Sequence, residues 1–431
     1  MLSRVVLKQI LADQRSAILK KDFGIPRTIL QSLERKTKLP HVVAITGIRR
    51  CGKSTLLRQI IRTYYHDQDF YYLTFEDERL FGFQARDFNE VYEVMVEIFG
   101  ESKTFFLDEV QNVPHFELFV RRFMENGFKF YITGSNADLL GQELGTKLTG
   151  RHIDAVLKPF SFAEILKLRE VRLDGPEAYQ TTTKALVKKV LDEYLQTGGM
   201  PEYLLFGEQE ILHRLYEDIL LKDIAVRHNI TNVHQLREMS QYLVTNMANL
   251  FSYNALKNLL QFGSVTTVKK YVSFLEETYF ALVVHKFVFS LKKRQMTPKK
   301  FYLMDHGFFP LVSPKVTKDY GRVLENIVAV TLSYHYDLNY YSGRQECDLV
   351  VRGHNNVVGV IQVTWELTSE NEARELGGLL EAMDHFKLES GILVTYEQQF
   401  ERKEQGKDVL VVPILEWLMQ DIKVFFPNPV H

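Results

Sequence analysis

Between Leu39 and Val171 short apolar runs alternate with helical periods, and that alternation leaves the chain few folds to choose from. HVVAIT, FYYLTF, TFFLDEV and KFYITGS are compact runs rich in β-branched and aromatic residues, the pattern of strands buried on both faces. KSTLLRQIIRTYY and FNEVYEVMVEIFG lie between them with helical spacing. Strand and helix in alternation imply right-handed crossovers, and so a three-layer α/β domain around a parallel sheet.

That domain occupies only part of the chain. With 431 residues, two to four domains are expected. From about Gly175 to Val288 helical periodicity dominates, and TKALVKKVLDEYLQTG stops at Gly198-Gly199-Met200-Pro201, glycine then proline. The stretch from Ser252 to Phe289 then reads as helix, glycine-containing turn, helix and two short strands, an order that suits a winged helix-turn-helix. A second α/β pattern begins near Lys300. The expected division is 1–35 as an N-terminal helical segment, 36–174 as the first α/β domain, 175–299 as the winged-helix region and 300–431 as the tail.

Composition removes several classes of protein. A formal net charge of -1 excludes a globally basic nucleic-acid binder but not a local basic patch. Two cysteines, Cys51 and Cys347, make no disulfide framework and point to a reducing compartment. The N-terminus is broken by charges, unlike a signal peptide, and no run approaches the roughly 20 apolar residues of a membrane helix. A cytoplasmic protein is expected. The thirteen histidines show no metal-ligand spacing, and His306 is read as local structure.

Chemistry enters where the strand HVVAIT meets the helix STLLRQII. Gly47-Ile-Arg-Arg-Cys-Gly-Lys53-Ser54 fits G-x-x-x-x-G-K-S/T in the strand–turn–helix context the motif needs. Gly47, Ile48, Arg49, Arg50, Cys51, Gly52, Lys53, Ser54 and Thr55 would wrap a phosphate chain with inward-facing N–H groups at a positive helix terminus. Lys53 would bridge the outer phosphates and Ser54 would ligate Mg²⁺. Asp108 and Glu109 end the apolar run in TFFLDEV, a poor place for carboxylates that only pack. Asp108 is expected to hold Mg²⁺ and Glu109 to polarise water. Asn136, with Ser135 beside it, is a candidate to sense the outer phosphate, although Gly-Ser-Asn is also ordinary turn chemistry. The cofactors implied are ATP and Mg²⁺.

Several motifs occur in a fixed order: GIRRCGKSTLL, FFLDEVQNV, ITGSN, LTGRH followed by LKPFSFAEIL, GGMPEYL and LKDIAVRH. In this order the chain resembles the prokaryotic AAA-family ATPases, of the AAA_14 type, that carry a C-terminal DUF4143 domain. The resemblance runs from about Leu30 to Met383. It implies a P-loop ATPase core, a winged helix and a tail similar to the PD-(D/E)xK nuclease fold. It also implies an arginine-finger role for Arg151 of LTGRH, in cis or in trans.

A working tail of that kind would need an acidic residue on one strand and Glu-x-Lys on the next. Asp348 fits the first position and Glu325 an upstream helical ligand, but the second strand reads Gln362-Val363-Thr364. Glu366 on the same strand face and Arg374 on the next helix are the residues available to compensate. Partners expected are duplex DNA, through Thr266, Thr267, Lys269 and Lys270 and a basic wing of Lys292, Lys293, Arg294, Lys299 and Lys300, or a protein, or a second copy of the chain. Three functions follow in order of preference: an Mg²⁺-dependent ATPase moving its tail on a partner, an ATP-bound switch with negligible turnover, and an ATP-regulated DNA nuclease.

Overall fold

The computed structural model describes residues 3–65, 69–135, 148, 150–173, 175–312, 319–354 and 356–426. The chain forms two compact units, Met1–Phe160 with Glu277–Tyr279, and Ser161–Glu276 with Phe280–His431.

In the first unit five strands, β1 (Val42–Thr46), β2 (Tyr71–Thr74), β3 (Thr104–Asp108), β4 (Lys129–Gly134) and β5 (His152–Val156), form one sheet in the order β2-β3-β4-β1-β5. Every pairing is parallel. All residues of β1 and β3 are buried, as unbroken apolar runs require. The helices are α1 (Arg4–Lys20), α2 (Ile29–Thr37), α3 (Lys53–Ile60), α4 (Phe88–Phe99) and α5 (Phe116–Glu125). One face of the sheet packs with Val91, Met95, Phe116 and Val120 of α4 and α5 and with Leu7, Ile10 and Leu11 of α1 in a single core. α1 is fastened to β2 by polar bonds as well. The Gln14 side chain accepts from Thr74 N at 2.9 Å and donates to Thr74 O at 3.2 Å and to Asp77 Oδ2 at 2.9 Å. β5, at the sheet edge, is only partly buried.

The second unit carries a mixed sheet of nine strands in the order β13-β14-β12-β11-β10-β9-β7-β8-β6. They are β6 (Leu250–Phe251), β7 (Ala281–Lys286), β8 (Lys299–Leu303), β9 (Asp337–Ser342), β10 (Glu346–Arg352), β11 (Val357–Val363), β12 (Ser390–Thr395), β13 (Phe400–Glu404) and β14 (Lys407–Pro413). Helices important below are α6 (Thr181–Thr197), α7 (Val233–Thr245), α8 (Tyr253–Leu259), α9 (Val265–Glu277), α10 (Leu291–Met296), α11 (Tyr320–Ser333) and α12 (Glu372–Phe386). The strands following α9 therefore continue into the sheet of the tail, through a parallel contact of β7 with β9. α12 covers β10, β11 and β12 with Leu376, Leu379, Leu380 and Met383.

The glycine-then-proline stop after α6 is held from a distance. Gly198 has φ +70°, and Asp305 accepts from Gly199 N at 2.7 Å and from Gly307 N at 2.9 Å. His306 Nε2 lies 2.7 Å from Tyr194 O, so its contact is to a distant helix and not within its own turn as expected.

Candidate functional site

The site of the first unit sits where β1 and β3 end. These strands are not neighbours, because β4 runs between them, so their C-terminal ends leave a gap over the sheet. The loop after β1 turns through residues in left-handed or extended positive-φ backbone: Gly47 at +145°, Arg50 at +61° and Gly52 at +101°. Gly47 has a second reason to be glycine. A Cβ there would stand 2.2 Å from Leu157 O and 3.1 Å from Cys51 Sγ. The loop is braced from behind by Arg27, which donates from Nη1 to Cys51 O at 2.8 Å and from Nη2 to Lys158 O at 2.6 Å. Cys51 is fully buried, and burial raises its thiol above the ordinary range, which fits a small filler.

Lys53 opens α3 and is 5% exposed, yet its ammonium curls back over its own loop. Nζ donates to Gly47 O at 3.2 Å and Ile48 O at 3.4 Å and lies 3.7 Å from Glu109 Oε1. Asp108 is buried and receives bonds from Ser54, from Tyr72 OH at 3.2 Å and from Thr133 Oγ1 at 2.5 Å. Burial raises its carboxyl, and the Thr133 and Ser54 bonds oppose that rise. Glu109 stands in left-handed backbone at φ +52°, its N–H donating to Thr133 Oγ1 at 2.8 Å. Gln111 donates to its carboxylate. A chain of bonds thus runs from Glu109 N through the Thr133 hydroxyl to Asp108.

Lys53, Ser54, Asp108 and Glu109, expected together, are together. Arg151 is not with them. It precedes β5, which runs parallel to β1 with His152 opposite Val42. Five residues at about 3.3 Å each put it some 16 Å from the loop that follows Thr46, at the other end of the sheet. The cis half of the arginine-finger expectation is corrected by this register. Its side chain is exposed. Asn136 lies outside the described residues, whereas Ser135 is buried with no partner for Oγ among them.

Thr133, Tyr72 and Glu76 escaped sequence reasoning. Glu76 is exposed, yet desolvation at the cavity wall, followed by the charges of Glu109 and Asp108, raises its carboxyl. With Ser54, Thr55, Arg58 and Asp108 it lines a cavity of about 500 Å³. Oxygen donors of Ser54 and Asp108, already joined by a hydrogen bond, fit a hard divalent cation.

In the second unit Glu325 on α11, Asp348 on β10 and Gln362 on β11 are all buried and close together. The compensating residues fail. β11 ends at Val363, so the two-residue alternation does not reach Glu366, which is exposed. Arg374 donates to Glu375 next to it, with a side chain 77% exposed. The basic wing also needs correction. Lys299 and Lys300 belong to β8, all five of whose residues are buried. Lys299 Nζ donates to Gln295 O at 3.1 Å and Thr297 O at 2.7 Å and sits 4.4 Å from the centre of the Tyr253 ring. Lys269, Lys270, Lys292 and Lys293 are exposed.

Among known families, an AAA domain of the AAA_14 family matches residues 40–166. A different domain of unknown function from the DUF4143 that the motifs resemble, DUF8612, matches residues 188–318. The uncharacterized protein MJ1544 of Methanocaldococcus jannaschii is 30% identical over 434 residues, covering 96% of this chain and 95% of its own. An uncharacterized protein of Haemophilus influenzae is 28% identical over 408 residues, 91% of this chain and 97% of its own. Among solved structures, the Aeropyrum pernix ORC2 protein in its ADP form is 10% identical with a TM-score of 0.30, covering 70% of this chain and 92% of its own. A score that low carries no argument. No helix among the described residues is long and apolar enough to cross a membrane.

Proposed function

Because the chain belongs to the family of the Methanocaldococcus jannaschii protein and carries an AAA domain at residues 40–166, we propose that it binds ATP with Mg²⁺ and hydrolyses it. The observation that carries this reading is the convergence of Lys53, Ser54, Asp108 and Glu109 at the ends of two strands separated by β4. Ser54 and Asp108 would hold Mg²⁺, which when bound neutralises charge on the phosphates. Lys53 has its ammonium on backbone carbonyls and would exchange them for phosphate oxygens, a stronger charge-assisted partner. Glu109 would take the proton of the attacking water, and Asn136 would report the outer phosphate. Arg151, being remote from its own loop, would act in trans on the nucleotide of a second copy.

A second reading, an ATP-bound switch with slow turnover, is favoured by one contact. Gln111 and Lys53 both engage Glu109, so its carboxylate must be released before it can work as a base.

We read the succession α7, β6, α8, α9, β7 and β8 as a winged helix-turn-helix and the sheet beyond as a PD-(D/E)xK-like tail of the DUF4143 kind. The nucleotide state would set how these engage a partner, duplex DNA through Lys269, Lys270, Lys292 and Lys293 or another protein. Lys53→Ala should abolish ATP turnover, measured with and without duplex DNA. Unchanged turnover in that variant overturns the ATPase reading, and stimulation of the wild type by DNA supports a nucleic-acid partner.

A further inference from the structure

The acidic cluster of the second unit encloses a cation that the chain itself supplies. Lys300, on β8, is 2% exposed. Its Nζ donates to Glu325 Oε1 at 2.9 Å and to Asp348 Oδ1 at 2.8 Å, and Glu346 Oε1 stands 2.8 Å away. Three carboxylates account for all three ammonium protons.

Two of the carboxylates are held by further donors. Tyr302 OH donates to the same Glu325 oxygen at 2.7 Å, and Val363 N donates to Asp348 Oδ2 at 3.0 Å. Gln362, the neutral residue standing where a carboxylate ligand is expected, accepts from Asp348 N at 3.3 Å and donates to Glu375 Oε2 at 2.7 Å. Both Asp348 oxygens and one oxygen each of Glu325 and Glu346 are therefore engaged, and the space between the carboxylates is filled by Nζ. Among the described residues no group of three or more His, Cys, Asp and Glu is arranged to hold a metal.

We infer that Lys300 is the resident cation of this site, standing where a nuclease-type fold would carry a divalent metal, so that the tail binds no Mg²⁺ or Mn²⁺ there. Physical chemistry favours the arrangement. Buried carboxylates without a counter-ion would be costly, and a fixed ammonium offsets part of that cost without depending on metal supply. Burial alone would lower the lysine, but Asp348 and Glu325 outweigh it and hold the ammonium well above the ordinary lysine range. Lys300 is thus held in its charged form. Glu325 is pushed up by burial and then by the Asp348 charge.

The test uses the nucleotide-free full chain as wild type, Asp348→Asn, Lys300→Ser and Lys300→Ser/Asp348→Asn. Bound Mn²⁺ is counted by electron paramagnetic resonance. Wild type should take up no more Mn²⁺ than Asp348→Asn, Lys300→Ser should gain about one ion per chain, and the double variant should lose it. Removing Nζ can unfold the chain, so thermal midpoints are read with and without Mn²⁺. Mn²⁺ should then raise the midpoint of Lys300→Ser, or fold it outright, and leave wild type unmoved. The inference is overturned by a wild-type ion that Asp348→Asn removes. Mn²⁺-dependent nicking of supercoiled DNA that Asp348→Asn abolishes overturns it too, as does a Lys300→Ser chain that gains no ion and no stability.

Discussion

Thr133→Val separates a site organised for chemistry from one that is merely packed. The substitution keeps the shape of a side chain that is fully buried and removes two bonds, the donation to Asp108 at 2.5 Å and the acceptance from Glu109 N at 2.8 Å. A hydrogen bond to a charged group is worth about 1.5–3 kcal/mol, and a buried N–H left without an acceptor costs about 1–3 kcal/mol. Folding stability should therefore drop by about 2.5–6 kcal/mol, read from denaturant midpoints. If the same hydroxyl also contributes about 2 kcal/mol at the barrier beyond its ground-state bonds, its loss lowers kcat roughly 30-fold with little change in KM. Thr133→Ser keeps both bonds and should stay within about threefold of wild type. Steady-state ATP turnover of the two variants decides the matter. Wild-type rates in Thr133→Val refute the reasoning. So does a Ser variant as slow as the Val variant, because the lost element is then the methyl group and not the hydroxyl.

Glu109→Gln should lower kcat by about 10²–10⁴ while leaving nucleotide affinity largely intact, and a stopped-flow binding assay beside a turnover assay checks both. Gly198→Ala should destabilise the second unit by more than about 1 kcal/mol, since its Cβ would stand 2.0 Å from Asp305 Oδ1 in positive-φ backbone; an unchanged melting temperature would contradict the role given to that turn. His285 is driven down from 6.5 to about 4, by burial first and then by Arg294 and Lys299. Its unfolded form binds more protons between those values, so its contribution is present above 6.5 and lost as pH falls toward 4. Urea midpoints at about pH 8 and about pH 5 should fall less on acidification in His285→Gln than in wild type.

What could be read from the sequence was whatever local pattern controls. β1 to β4 announce themselves because strands buried on both faces must be continuous apolar runs, and the phosphate loop because its glycines and its lysine sit at fixed spacing. β5 was missed. HIDAV lies at a sheet edge, half-exposed, and carries no such run. Thr133 was invisible for the opposite reason, being an ordinary β-branched residue in a strand whose hydroxyl gains meaning only beside Asp108. The lysines at 299 and 300 looked like a charge run because sequence shows only neighbours. Their partners lie as many as 48 residues away, and no rule of spacing joins β8 to α11 and β10. Glu366 fails on a smaller point: period-two reasoning holds only while the strand lasts, and the strand stops at Val363.

The parallel contact between β7 and β9 bears on how the chain can be divided. A fragment ending between Lys286 and Asp337 would leave β7 as an open edge, with His285 and Lys286 bare of the strand that pairs with them. Such fragments should recruit foreign strands and precipitate, and the complementary tail fragment should do the same through β9. From Leu250 onward the sheet is transmitted as one heritable piece: insertions can accumulate in its loops, but a recombination event that exchanges the tail alone must bring a matching edge with it.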